Sequence, residues 1–175
     1  MATHPLPSIS PTRGVHAALD TLTALDPAGL NGAGQAELLK DLKRIESRVA
    51  AYRLTVLAAA QAAKTAEKAG ATDVAAWAAK ATNDDSRDTS RATKLATRLK
   101  GHRPTQEALS DGVISQQHAE AIVGAGEQLP EGLSAVERVR VEQDLVTKAQ
   151  TMSPQALRRH TLRSEERFSR NAETD

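Results

Sequence analysis

Apolar residues recur along this chain at helical spacing, and no stretch alternates apolar and polar as a half-buried strand would. Val15, Leu19 and Leu22 predict a short helix from about Arg13 to Leu25, broken by Asp26-Pro27 and the Gly29/Gly32/Gly34 cluster. A long helix is predicted over 34–69. Its apolar positions Leu38, Leu42, Ile45, Val49, Tyr52 and Val56 continue weakly through Ala59 and Ala63, with spacings that alternate four and three. That is the seam of a coiled-coil-like helix. Lys40, Lys43, Arg44, Arg48 and Arg53 fall largely off the seam, and Gly70 suits a left-handed helix end. About 36 helical residues would span ~54 Å, longer than a compact domain of this size. Such a helix must pack along others, bend, or pair with a second chain.

Short, clearly punctuated helices follow. Asp73 caps one carrying Val74 and Trp77, which ends near Thr82-Asn83. Asp85 or Ser86 starts another with Ala92, Leu95, Ala96 and Leu99 on one face and Gly101 closing it. Pro104 suits the first turn of a brief helix stopped by Gly112, where Ile114 plugs the turn. Ser115 caps the helix of Ala119, Ile122 and Val123, and Ser134 with Glu137 has capping-box spacing. Ser153-Pro154 starts a last helix with Leu157, Thr161 and Phe168 inward. The organisation read from this is a disordered residue 1–12 arm, one helical domain over 13–170, and a polar tail at 171–175. Within the domain lie the long helix, a short-helix cluster at about 73–125 and C-terminal helices at about 135–169.

Composition sharpens the class. The 175 residues include 32 Ala but a single Trp, Tyr and Phe. Alanine is the best helix former, whereas strands favour β-branched and aromatic side chains. The expected fold is an all-α multi-helix bundle, one long N-terminal helix with a cluster of short helices containing helix-turn-helix-like units. The absence of cysteine excludes disulfides, thiolate metal sites and cysteine nucleophiles, and fits a reducing cytoplasm. No apolar run reaches the ~18 residues of a membrane helix, so no membrane partner is expected.

The formal net charge of +1 hides a local segregation. Residues 86–103 hold Arg87, Arg91, Lys94, Arg98, Lys100 and Arg103 against Asp88 alone, a net +5. Residues 104–147 hold eight acids against Arg138 and Arg140, a net −6. A catalytic or metal role finds little footing. His4, His16, His102, His118 and His160 are scattered without a helical metal-ligating pair, and no phosphate-binding Gly-rich loop follows a strand. Asp84-Asp85 and Glu165-Glu166 are neighbours in sequence only, since adjacent helical residues do not face each other. No catalytic residue, metal or cofactor is therefore assigned.

Nucleic-acid binding is the stronger reading. Asp73–Thr82, a tight Asn83-Asp84 turn and Ser86–Lys100 have helix-turn-helix form. In the second helix Arg87, Arg91, Lys94 and Arg98 recur at spacings of four, three and four, a basic ridge that can lie along phosphates, with Arg103 in support. The competing readings are a solvated helix face or an internal contact with the acidic segment. The helix–Gly112–helix unit that follows, being acidic, is expected to brace the basic helix. A distinct alternative is a protein-interaction or oligomerisation module, using the Leu38–Val56 seam for a second copy or a partner helix and making no direct DNA contact.

The stretch GATDVAAWAAKAT, followed by SRATKLATRLKGHRPTQEALSDGVISQQHAEAIVGAGEQLP, resembles the domain-of-unknown-function 222 family. The matching positions include Gly70, Trp77, Leu99, Pro104, Thr105, Leu109, Gly112, Ile114, Ser115, His118, Ile122 and Pro130, and the likeness extends over about residues 30–170. That family forms the helical N-terminal region of HNH endonuclease-like proteins in high-GC Gram-positive bacteria and their phages. The excess of Ala, and of Arg over Lys, is what GC-rich coding would produce. The resemblance implies a DNA-associated module beside an HNH nuclease. The His base, metal ligands and Cys pairs of an HNH site are not carried by this sequence, so the expected chain is non-catalytic, either one part of a longer gene product or a stand-alone member.

Overall fold

The computed structural model describes residues 11–162. The expectations for residues 1–10 of the N-terminal arm, for His4, Glu165-Glu166 and Phe168 and for the polar tail lie outside the described residues, whereas Pro11 and Thr12, expected in the disordered arm, begin the first helix. Within that range every regular element is a helix, with no strand among the described residues. Its elements are α1 (Pro11–Thr23), α2 (Gly32–Ala62), α3 (Thr65–Lys68), α4 (Val74–Thr82), α5 (Ser86–Arg98), α6 (Arg103–Ser110), α7 (Gln116–Glu127), α8 (Ala135–Ala149) and α9 (154–162). Turns of 3-10 helix occupy Pro27–Gly29 and Leu99–Gly101. The chain divides into two compact units, one ending at Asp41 and the other beginning at Leu42.

In the first unit α1 is amphipathic yet buries nothing, with Val15 and Leu19 both exposed. Asp26 caps the Pro27–Gly29 turn through Ala28 N–H (2.9 Å), and Asn31 Oδ1 accepts from Gly34 N–H (2.9 Å) to start α2. These side chains satisfy donors that a helix start leaves orphaned.

In the second unit the long helix is shorter than the sequence pattern predicts. It ends at Ala62, and Lys64 adopts a left-handed conformation (φ 53°) before the single turn of α3. Gly70, with φ 69°, ends α3 rather than the long helix. The run of Ala and Gln here offers no large apolar group to hold the helix straight, and Ala66 is instead drawn into the core.

The core is built from the inner faces of these short helices. Leu95, Leu109, Ile114, Ile122, Val123 and Leu157 are fully buried, packed with many alanines. Small side chains let helix backbones approach closely, so the Ala-rich composition becomes a tightly layered bundle. Local signals act where the sequence places them. Asp73 accepts from Ala76 N–H, Ser134 and Glu137 form a reciprocal capping box, and Pro104 sits in the first turn of α6. Gly112 (φ 75°) ends α6, with Ile114 buried behind it.

Candidate nucleic-acid interface

The α4–turn–α5 unit is built by side-chain to backbone bonds. Asn83 takes the left-handed conformation that Asn tolerates, and its N–H donates to Ala79 O. Asp85 Oδ1 accepts from Arg87 N–H at 2.7 Å and starts α5. Between them Asp84 is held from two sides, by the Thr82 hydroxyl 2.9 Å away and by the Arg53 guanidinium of α2. The Thr82 hydroxyl, and then Arg53, hold the Asp84 carboxyl below its ordinary range.

The faces of α5 separate cleanly. Thr89, Ala92, Leu95 and Ala96 are buried. At 3.6 residues per turn the Arg87/Arg91/Lys94/Arg98 row lies about 140° around the helix from them. Thr89, Thr93 and Thr97 return their hydroxyls to carbonyls one turn back, and Thr97 also reaches Gln61 of α2 at 3.3 Å. This fixes the rotation of α5 and turns the basic row outward.

The five predicted residues do not end up equivalent. Arg87 and Lys94 are exposed, and their side chains make no hydrogen bond or ion pair with the described residues. Arg91 is exposed and, among the described residues, meets only Asp88, at a long 3.4 Å. Arg98 is tied into the fold, its Nε and Nη2 donating to the two oxygens of Glu127 on α7, the latter bond 2.6 Å. Arg103 lies past the end of α5, on α6, paired with Glu107 at 2.7 Å. Outward charge on α5 is therefore concentrated at its first two turns and a half.

Arg91 also borders a concavity of about 300 Å³ with Lys43 and Glu46 of α2, Asp88, and Gln116, Gln117 and Glu120 at the start of α7. In the sequence Lys43 is no more than a flank of the apolar seam. It lies 48 residues from Arg91, and only the packing of α2 beside α5 brings the two to one groove. The groove's acids are partly engaged already. Glu46 accepts from Lys43 at 2.9 Å, and Glu120 has Arg158 at 3.7 Å and Gln116 at 3.2 Å.

The histidines that might suggest chemistry have structural partners. His118 Nδ1 accepts from Ser115 N–H (3.2 Å), which leaves Nε2 to carry the proton and donate to Met152 O (2.9 Å). His118 is half-buried and joins the start of α7 to the turn after α8. His102 packs against Gly126 and lies 3.3 Å from buried Glu142. Among the described residues no group of three or more His, Asp or Glu could hold a metal ion, and no helix is long and apolar enough to cross a membrane.

Comparison with protein-family models, with curated proteins and with solved structures gives no match. The resemblance to the domain-of-unknown-function 222 family rests on the residues that carry it in the sequence.

Proposed function

We propose that this chain is a non-catalytic, DNA-associated helical module that lays the first turns of α5 along the phosphate backbone of duplex DNA. The observation that carries the reading is the state of Arg87, Arg91 and Lys94. They form one row on the second helix of a helix-turn-helix-like pair, pointing away from the core, two of them without any partner among the described residues. Cations left unneutralised on a rigid ridge release phosphate counterions when they dock. Arg98 and Arg103 contribute less, because each is already matched to a carboxylate.

The family resemblance implies the same direction, with the chemistry supplied by an HNH-type nuclease for which this module would position the target. A duplex oligonucleotide titrated at several salt concentrations tests the binding. The logarithm of the association constant should fall linearly with the logarithm of salt. Replacing Arg87, Arg91 and Lys94 together by Ala should reduce the magnitude of that slope by about three, one for each phosphate no longer neutralised. No detectable binding at low salt would overturn the reading.

A further inference from the structure

The long helix α2 carries two apolar faces, and the described residues cover only one. Ser47, Ala51, Leu54 and Leu57 face the core. The heptad seam faces outward: Ile45 is 41% exposed, Val49 55%, Tyr52 70% and Val56 46%. A continuous row of large apolar side chains on a charged helix is a surface that soluble proteins do not leave unpartnered without reason. The seam's flanks say what fits it. Glu46 and Arg53 border one side, Asp41 and Arg48 the other.

We propose that α2 pairs with α2 of a second copy of this chain, antiparallel, about a two-fold axis passing between residues 50 and 51. In that register Val49 packs on Tyr52 of the second copy, Ile45 on Val56, and Leu42 on Ala59, each twice by symmetry. Glu46 then faces Arg53 of the second copy, again twice. The neighbouring antiparallel registers fail on charge. Sliding by one heptad sets Glu46 against Glu46 and Arg48 against Arg48, and sliding the other way sets Arg53 against Arg53. A parallel pair sets Asp41 against Glu46 and Arg48 against Arg53. One arrangement out of four satisfies both the seam and its flanking charges.

The intrachain contacts leave room for this. Arg53 gives one amino group to Asp84 and keeps its other donors, and Glu46 gives one oxygen to Lys43. Tyr52, the most exposed seam residue, becomes the central anchor, a role in which Tyr is over-represented. The pairing does not depend on DNA binding.

Sedimentation equilibrium of the full chain tests it. The apparent mass should rise with concentration from 18.6 kDa toward twice that value. Val49→Lys should weaken association by at least about tenfold, and at a concentration where the parent is monomeric its thermal midpoint should match the parent's because Val49 lies outside the core. Glu46→Lys alone and Arg53→Glu alone should each weaken self-association, and an equimolar mixture of the two should restore it as mixed dimers. A strict monomer at about 0.5 mM, or a dimer indifferent to Val49→Lys, would overturn the pairing. Tighter association of Glu46→Lys would overturn the antiparallel register, as would a mixture that fails to form. Should Arg53→Glu unfold against Asp84, Val49→Lys and Glu46→Lys decide alone.

Discussion

Glu142 shows how one side chain holds two helices in relation. It is buried on α8, and its Oε1 accepts from both Thr105 N–H (2.9 Å) and the Thr105 hydroxyl (2.5 Å) near the start of α6. His102 stands at the capping position of α6 but gives it no side-chain cap, so Glu142 supplies the cap from 37 residues away. Burial pushes the Glu142 carboxyl up, while the bonds from His102 and Thr105 outweigh it and hold the pKa below the ordinary carboxylate value. A carboxyl depressed in the folded state stabilises the fold above its unfolded pKa and loses that contribution as pH falls through the folded one. Urea denaturation at neutral pH should find Glu142→Ala less stable by about 1–3 kcal/mol, the cost of stranding buried donors. Glu142→Gln keeps an acceptor, and its stability should fall less steeply than that of the parent as pH is lowered. An alanine variant as stable as the parent would show that the cap carries no weight. None of this is legible in the sequence, where Glu142 is one more acid in a net −6 stretch and nothing marks its distance to Thr105.

At the scale of elements, what sequence pattern conveys and what it omits can be read on α2. Caps and breaks are local, and they are found where Asp73, Asp85, Ser115 and Ser134 announce them. Which face of a helix meets the core is not local. The seam of large residues from Leu38 to Val56 is the more obvious apolar face, yet the core takes the face of Ser47, Ala51, Leu54 and Leu57. The reason lies in what α2 packs against. Gly112, in the turn after α6, brings backbone directly onto α2: a Cβ there would stand 2.7 Å from Arg44 O and 2.6 Å from the Arg44 side chain. Arg44 Nε completes the contact by donating to Asp111 O at 3.0 Å. Close approach of backbone at this end of the face favours the small side chains of Ser47 and Ala51 over the bulky seam. The glycine is legible in the sequence as a helix stop, but its second role as the seat of α2 is not. Gly112→Ala should therefore cost about 2 kcal/mol or more, adding a left-handed penalty to a clash with a carbonyl that cannot swing away. Thermal unfolding would register it, and an unchanged midpoint would refute the close seating.

For the molecule as a whole, the charge segregation read from the sequence becomes an arrangement in space with two different uses. The +5 stretch and the −6 stretch are adjacent in the chain, and they could have neutralised each other across the α5–α7 contact. They do so at one strong point, where Arg98 grips Glu127 with two bonds, and Arg103 is spent locally on Glu107. Arg87 and Lys94 are left facing out, with Arg91 loosely held. Position along α5 thus sorts cations into a bracing end and a presenting end, a division that an even spacing of four, three and four cannot reveal. Substitution at the two ends should separate the roles. Arg98→Ala removes a half-exposed bidentate pair and should lower stability by about 0.5–1 kcal/mol. The salt dependence of DNA binding should then stay nearly unchanged, because Arg98 is already occupied. Arg87→Ala should do the reverse, leaving the unfolding midpoint in place while reducing the slope by about one. Measured side by side by denaturation and by salt-dependent titration, the two variants would cross. If Arg98→Ala instead reduces the slope as much as Arg87→Ala does, the Glu127 pair opens on binding and the whole length of α5 meets the phosphates.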